Sequence, residues 1–262
     1  MPTEQDETSG AEWRVCAKPP RLGDGDVHVW RIPLAAPATA LAELESLLQP
    51  AERDRAARFR FERFRNRFTV GRASLRILLG QYLGLPPRHL EFVFGPHGKP
   101  ELANPGVRPP LHFNLSHSQD LALLAVSTVG PIGVDVEHLR PVPEARQLVT
   151  RFFSSREDRE FSRLPEQEQP RAFFSLWTRK EALLKAIGEG IAHSLKLVEV
   201  TFRPEEPVRF LALPGGRVPE EWSLKHLEPG DGFVGALVVH GQPRRIETYA
   251  WASALPTGGD YP

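Results

Sequence analysis

The chain has 262 residues, with 33 Lys+Arg against 33 Asp+Glu, so no global charge draws it to nucleic acid or an anionic membrane, and a polyanion site must be local. Hydrophobic content of 40% and charged content of 25% are those of a soluble globular protein, with length for one large domain or two smaller ones. The single cysteine, Cys16, excludes an internal disulfide and a cysteine-rich metal site, and fits a reducing, cytoplasmic compartment.

Residues 1–25 open on Glu4, Asp6 and Glu7 and carry Pro19-Pro20 and Gly23-Asp24-Gly25. They read as a loose leader, not a secretory signal. Alternation in Val27-His28-Val29-Trp30-Arg31-Ile32 predicts a first strand, and 41–48 a short helix ended by Pro50. From 51 to 83 the period is helical, with Phe59, Phe64, Phe68, Leu75, Leu78, Leu79 and Leu83 available for burial, until Gly84-Leu85-Pro86-Pro87 stops it. Arg53, Arg55, Arg58, Arg60, Arg63, Arg65, Arg67, Arg72 and Arg76 crowd this stretch, set against Asp54 and Glu62. A solvated helix face is the ordinary reading of such a run. The planar guanidinium also matches phosphate oxygens, so a local phosphate site competes with it. Nucleic acid ranks lower, because no RNA- or DNA-binding module accompanies the patch.

Phe94-Gly95-Pro96-His97-Gly98-Lys99-Pro100 is a turn by its Gly and Pro content. It is either a plain connection or a place where backbone approaches a ligand beside the Lys99 charge. In 111–118, Leu111, Phe113 and Leu115 face one way and His112, Asn114 and Ser116 the other. Asn114, Ser116, His117 and Ser118 are more small polar groups than a strand end needs. Adjacent Ser and His point to opposite faces and no G-x-S-x-G elbow is present, which argues against a serine hydrolase. Leu121 to Val126 reads as a buried strand, and as the longest apolar run it is too short to span a bilayer.

In Ile132-Gly133-Val134-Asp135-Val136-Glu137, period two sends the aliphatic residues to the core and Gly133, Asp135 and Glu137 to the opposite face. The two carboxylates then stand roughly 6.5–7 Å apart along the backbone. They repel unless water screens them or a cation bridges them, and an all-oxygen set suits Mg²⁺ or Mn²⁺. A solvent-facing acidic edge is the competing reading. Ser154 and Glu157 form a capping box, for which a structural role suffices.

The spacing predicts a helix from Pro170 to Ile187, closed by Gly188. Phe173, Leu176, Trp177, Leu183, Leu184 and Ile187 fall within one arc. Glu181 and Lys185 lie one turn apart at its border, where a surface i, i+4 ion pair is the plain reading. Lys180 points near the middle of that arc, where an ammonium is out of place unless it snorkels. Strands are expected at 195–202, 208–213, 222–226, 233–239 and 246–251, then a tail; no internal repeat is visible.

Asn114-Leu115-Ser116-His117-Ser118, Gly133-Val134-Asp135-Val136-Glu137 and Trp177-x-x-Lys180-Glu181-Ala182-x-x-Lys185 occur in that order. Together they resemble the signature of the 4′-phosphopantetheinyl transferases of the surfactin-synthetase-activating type. Gly98-Lys99-Pro100, Arg151-Phe152-Phe153-Ser154 and the Arg/Phe-rich stretch are similar to that family too, and the resemblance covers about residues 27–240.

The resemblance implies an α+β pseudo-dimer, each half a long helix on a small antiparallel sheet, with coenzyme A bound between the halves. The corresponding domains are a leader (1–25), an N-terminal subdomain (26–130), a C-terminal subdomain (131–252) and a tail (253–262). It implies Asp135, Glu137 and Glu181 as ligands of Mg²⁺, with Mn²⁺ as a substitute. Lys185 is the expected phosphate contact and Lys180 a second basic one at the rim. Ser116 and His117 are expected near the 3′-phosphate, Lys99 and Pro100 near adenine, and Arg55 at a phosphate. Glu52 and Phe68 stand where relatives carry Lys and Thr, which leaves Arg67 or Arg72 to replace those contacts. The expected reaction is transfer of phosphopantetheine from coenzyme A to a serine of an apo acyl or peptidyl carrier protein, releasing 3′,5′-ADP. Glu181 is the candidate base, and Lys185 and the metal stabilise charge. A monomer with no nucleic-acid or membrane partner is expected. A Mg²⁺-dependent nucleotide phosphohydrolase using the same acids is the alternative enzyme, and a binding module using the arginines the non-enzymatic one.

Overall fold

The computed structural model describes residues 13–103, 110–189 and 195–252; residues 1–12 of the predicted leader and the predicted tail from 253 lie outside the described residues. The elements are β1 (Arg14–Cys16), β2 (Asp26–Pro33), α1 (Ala38–Ser46), α2 (Pro50–Ala57), α3 (Glu62–Leu83), β3 (Phe92–Phe94) and β4 (Pro100–Leu102). There follow β5 (His112–Ser118), β6 (Leu121–Ser127), β7 (Ile132–His138), α4 (Ala145–Phe152), α5 (Ser155–Phe161) and α6 (Gln169–Ile187). β8 (Glu199–Val200), β9 (Phe210–Ala212), β10 (Trp222–Leu227), β11 (Phe233–His240) and β12 (Arg245–Trp251) complete a mixed α+β architecture. Among the described residues, no helix is long and apolar enough to cross a membrane.

Strand alternation builds the layers. A five-stranded sheet runs β1-β12-β2-β6-β5 and a three-stranded one β10-β11-β7. Ala122, Leu124 and Val126 of β6 join a core with α1 and α3, while Leu121, Leu123 and Ala125 face a second core. That second core is shared with Ile132, Val134 and Val136 of β7 and Leu237 and Val239 of β11. The other face of β11, through Val234, Ala236 and Val238, packs with α4, α5 and α6 in a third core. β6 is buried on both faces, which is why its sequence is an unbroken apolar run.

Several expectations are corrected. Pro50 does not end a helix but starts α2, in the first turn that tolerates proline, with Gln49 and Glu52 as a capping box. The long helical stretch breaks at 58–61 into α2 and α3. Part of the leader is ordered: β1 pairs in parallel with β12, and Arg14 bonds Glu247. β12 pairs in parallel with β2, so the last strand belongs to the sheet of the N-terminal half, not to the C-terminal subdomain it was grouped with. Tyr249 and Trp251 explain the choice: both are buried in the N-terminal core, and Tyr249 stacks on Trp30 with centroids 4.8 Å apart. That sheet is therefore mixed, not antiparallel. The strand expected over 195–202 is a 3₁₀ turn (Leu195–Leu197) followed by the two residues of β8.

Candidate active site

β5 and β7 are edge strands of different sheets. Side chains join them: Asn114 Oδ1 accepts from the Val134 amide (2.9 Å), and Ser118 Oγ from the His138 amide (3.1 Å). Edge amides that would otherwise be orphaned are thus satisfied without a backbone ladder. α6 lies directly on β7 because Gly133 has no side chain; a Cβ there would overlap the Ala182 carbonyl oxygen and crowd the Ala186 amide. That close approach brings the α6 residues flanking Ala182 and Ala186 down onto Asp135.

Asp135 is buried, and its Oδ1 accepts from Ser116 Oγ (2.8 Å) and Lys185 Nζ (2.6 Å); Lys185 Nζ also donates to Ser116 Oγ (2.8 Å). Burial holds the Asp135 carboxyl above the usual carboxylate range, against the pull of Lys185. Glu181, also buried, is pushed up to about 7 by desolvation and then by the Asp135 charge, with Lys185 opposing and Glu137 adding. Glu137 is turned to other partners: its Oε2 accepts from Ser118 Oγ (2.8 Å) and lies 3.2 Å from Arg140 Nη1.

Asp135 Oδ2 and Glu181 Oε1 are buried with no hydrogen-bond partner. Two unfilled hard oxygens in a site that disfavours their charge fit a divalent cation such as Mg²⁺. The three carboxylates share one field but are not a finished cage, for among the described residues no three of His, Cys, Asp and Glu are grouped to hold a metal.

Other expected contacts are distributed differently. Lys180 is not at the rim. It is fully buried, and its ammonium donates to Glu157 Oε2 (2.6 Å) and to the carbonyls of Leu195 (2.8 Å) and Val198 (2.6 Å), over the Phe153 ring. Glu157, known from sequence only as a capping residue, also accepts from the Ser154 and Val200 amides. The pair closes the C-terminal core, and the lysine cannot reach a ligand.

Lys99 also has partners: Nζ donates to the carbonyls of Ile132 (3.1 Å), Lys185 (2.6 Å) and Ala186 (3.2 Å). It caps the C-terminal end of α6, where a cation complements the helix dipole, and burial lowers its pKa. An adenine contact through this ammonium is therefore corrected to a cap; Pro100 is the first residue of β4 beside it. His117 is exposed on β5, and its pKa is lowered by desolvation and then by Lys185 and Arg67.

Arg55 and Arg72 line a groove of about 1030 Å³ with Arg58, Phe59, Phe68 and Phe92. Arg55 stacks over Phe68 at 5.4 Å, and Arg72 over Phe68 and Phe92 at 5.9 and 5.8 Å. Glu52, a third carboxylate of this stretch beside Asp54 and Glu62, is buried here, 2.7 Å from Arg76 Nε and 3.4 Å from Arg72 Nε. The signal for it was the Gln49-x-x-Glu52 spacing of a capping box. Arg72 keeps a buried Nη1 without a partner, whereas Arg67 is bound to Asp120 at 2.7 Å.

The chain is similar to known proteins over both halves. Residues 131–238 match the model of the 4′-phosphopantetheinyl transferase superfamily, and 36–129 that of the 4′-phosphopantetheinyl transferase N-terminal region. The chain is 43% identical over 226 residues to the 4′-phosphopantetheinyl transferase HetI of Nostoc sp., covering 86% of this chain and 92% of that protein. It is 34% identical to the transferase psf-1 of Bacillus pumilus, over 72% of this chain and 78% of that one. Identity to the transferase Sfp of Bacillus subtilis is 27%, over 71% and 80%. The matches span the β5–β7 seam and the α6 residues that close on it, and the chain belongs to the 4′-phosphopantetheinyl transferases.

Proposed function

We propose that this transferase moves phosphopantetheine from coenzyme A to a serine of an apo acyl or peptidyl carrier protein, with Mg²⁺ held by Asp135 and Glu181 and joined by Glu137. The observation that carries this is the pair of buried, unpartnered carboxylate oxygens beside Lys185. When bound, Mg²⁺ neutralises diphosphate oxygens and favours the charged form of the carboxylates. The chain's own residues do the rest. Lys185 Nζ donates to the phosphate that is attacked, held in place by Ser116 Oγ, which accepts from it and donates to Asp135. Glu181 accepts the serine proton as the new serine O–P bond forms and the bond to 3′,5′-ADP breaks.

The aromatic and arginine groove takes the nucleotide end in this reading. Arg72 Nη1 and Arg55 hold the 3′-phosphate and Phe68 or Phe92 stacks with the base, supported by the unpartnered guanidinium nitrogen. The two halves, α3 on one sheet and α6 on the other, are related subdomains of a pseudo-dimer in which β12 crosses back. The chain acts as a monomer in the cytoplasm.

Intact mass of an apo carrier incubated with coenzyme A, Mg²⁺ and the protein tests this. A phosphopantetheine-sized gain is expected, slowed about 10²–10³-fold in Glu181→Gln. Consumption of coenzyme A with no gain on the carrier would contradict it.

A further inference from the structure

The arginine stretch divides into two populations. Arg72 and Arg76 are turned inward onto Glu52, and Arg67 is bound to Asp120. Arg60, Arg63 and Arg65 are exposed, and among the described residues none of them makes an ion pair. Beside them Phe61 is 54% exposed and Phe64 38%.

These groups form a ladder. Arg60 lies over Phe61 at 5.5 Å, and Arg63 over Phe61 at 5.9 Å and Phe64 at 4.7 Å. Arg67 lies over Phe64 at 5.9 Å and bonds Asp120 at 2.7 Å, in the turn that follows β5 of the seam. A guanidinium held over a ring by cation–π attraction keeps N–H groups available to bind carboxylate. Local preferences do not explain the arrangement. Phe61 is the N-cap of α3 without a side-chain cap, and although Glu62 in the first turn suits the positive end of the helix dipole, Arg63 and Arg65 oppose it. A segment that defies local preference and gains no core marks function.

We infer that Arg60, Phe61, Arg63, Phe64 and Arg65 form the docking surface for the carrier protein. They engage a face of it that bears carboxylates around an apolar side chain. The inference rests on the transfer reading for the partner's identity, and on charge complementarity and continuity with the seam for its place. The surface arginines thus serve the protein acceptor, and those lining the groove serve the nucleotide.

The test uses a fluorescent apo carrier whose acceptor serine is alanine, titrated with the full chain and followed by anisotropy. Arg60→Ser/Arg63→Ser and Phe61→Ser/Phe64→Ser are each expected to weaken carrier binding about tenfold or more. Coenzyme A binding should stay within about twofold, since neither pair of side chains lines the groove. Raising salt should weaken the unsubstituted protein more than the arginine variant. Unchanged carrier binding in both variants overturns the inference, as does an oligonucleotide that binds through these residues while the carrier does not. The mass assay with unsubstituted protein separates the two readings. Transfer with unaffected variants sinks only the docking surface, and patch-dependent binding without transfer sinks only the chemistry.

Discussion

Lys180 and Lys185 lie five positions apart on α6, and each stands 2.6 Å from a carboxylate. The first pair, with Glu157, is completely enclosed, and every donor of the ammonium has a partner. The second, with Asp135, leaves the lysine 29% exposed and borders two carboxylate oxygens that have no partner. Equal ion-pair lengths therefore carry opposite meanings. A saturated buried pair joins α5, α6 and the 195–200 segment and has nothing left for chemistry. An unsaturated one is poised to take another charged group.

The sharpest way to break this contrast is Lys180→Met, which strands the Glu157 charge in the core. Roughly 3–5 kcal/mol of stability should go, read by urea unfolding. Adding Glu157→Gln should recover part of that loss. Lys185→Met should cost less, since Asp135 is already held above the usual carboxylate range and can take up a proton once its partner is gone, while transfer falls steeply. Equal stability losses for Lys180→Met and Lys185→Met would erase the distinction.

A smaller effect links the site to pH. Glu181 holds its proton more tightly when folded, at about 7, than at the ordinary 4.5. Its contribution is thus fully present below pH 4.5 and lost as pH rises through 7, on the order of 3 kcal/mol. Mg²⁺ should offset that loss, so its gain in thermal midpoint should be larger at pH 8 than at pH 5. A gain independent of pH would detach Glu181 from the ion. Smallest is Lys99→Met, which uncaps α6 and should cost about 1–2 kcal/mol in denaturant unfolding. If Lys99→Met is neutral, the cap at that end of the helix is not an anchor.

The same contrast shows what sequence could reveal. α6 was legible from its apolar period and Gly188, and the Asp135–Glu137 strand from strict alternation, because both signals are local. That Gly133 lets α6 descend onto β7 was not, since its reason lies on another element. Lys180 stood out as misplaced, but Glu157 is 23 residues away and its burial depends on tertiary packing. β12 reads as a strand from its own residues, but its parallel pairing with β2 leaves no local trace. Spacing alone points to the three acids; that Glu137 faces Ser118 and Arg140 is a property of the seam.

Manganese titration followed by electron paramagnetic resonance, with coenzyme A present, asks directly whether the unfilled oxygens are a metal site. One ion bound per chain is expected in the unsubstituted protein and in Lys99→Arg, with binding abolished in Glu181→Gln and Asp135→Asn. Full stoichiometry and unchanged affinity in both carboxylate variants would show that the ion, and with it the chemistry, resides elsewhere.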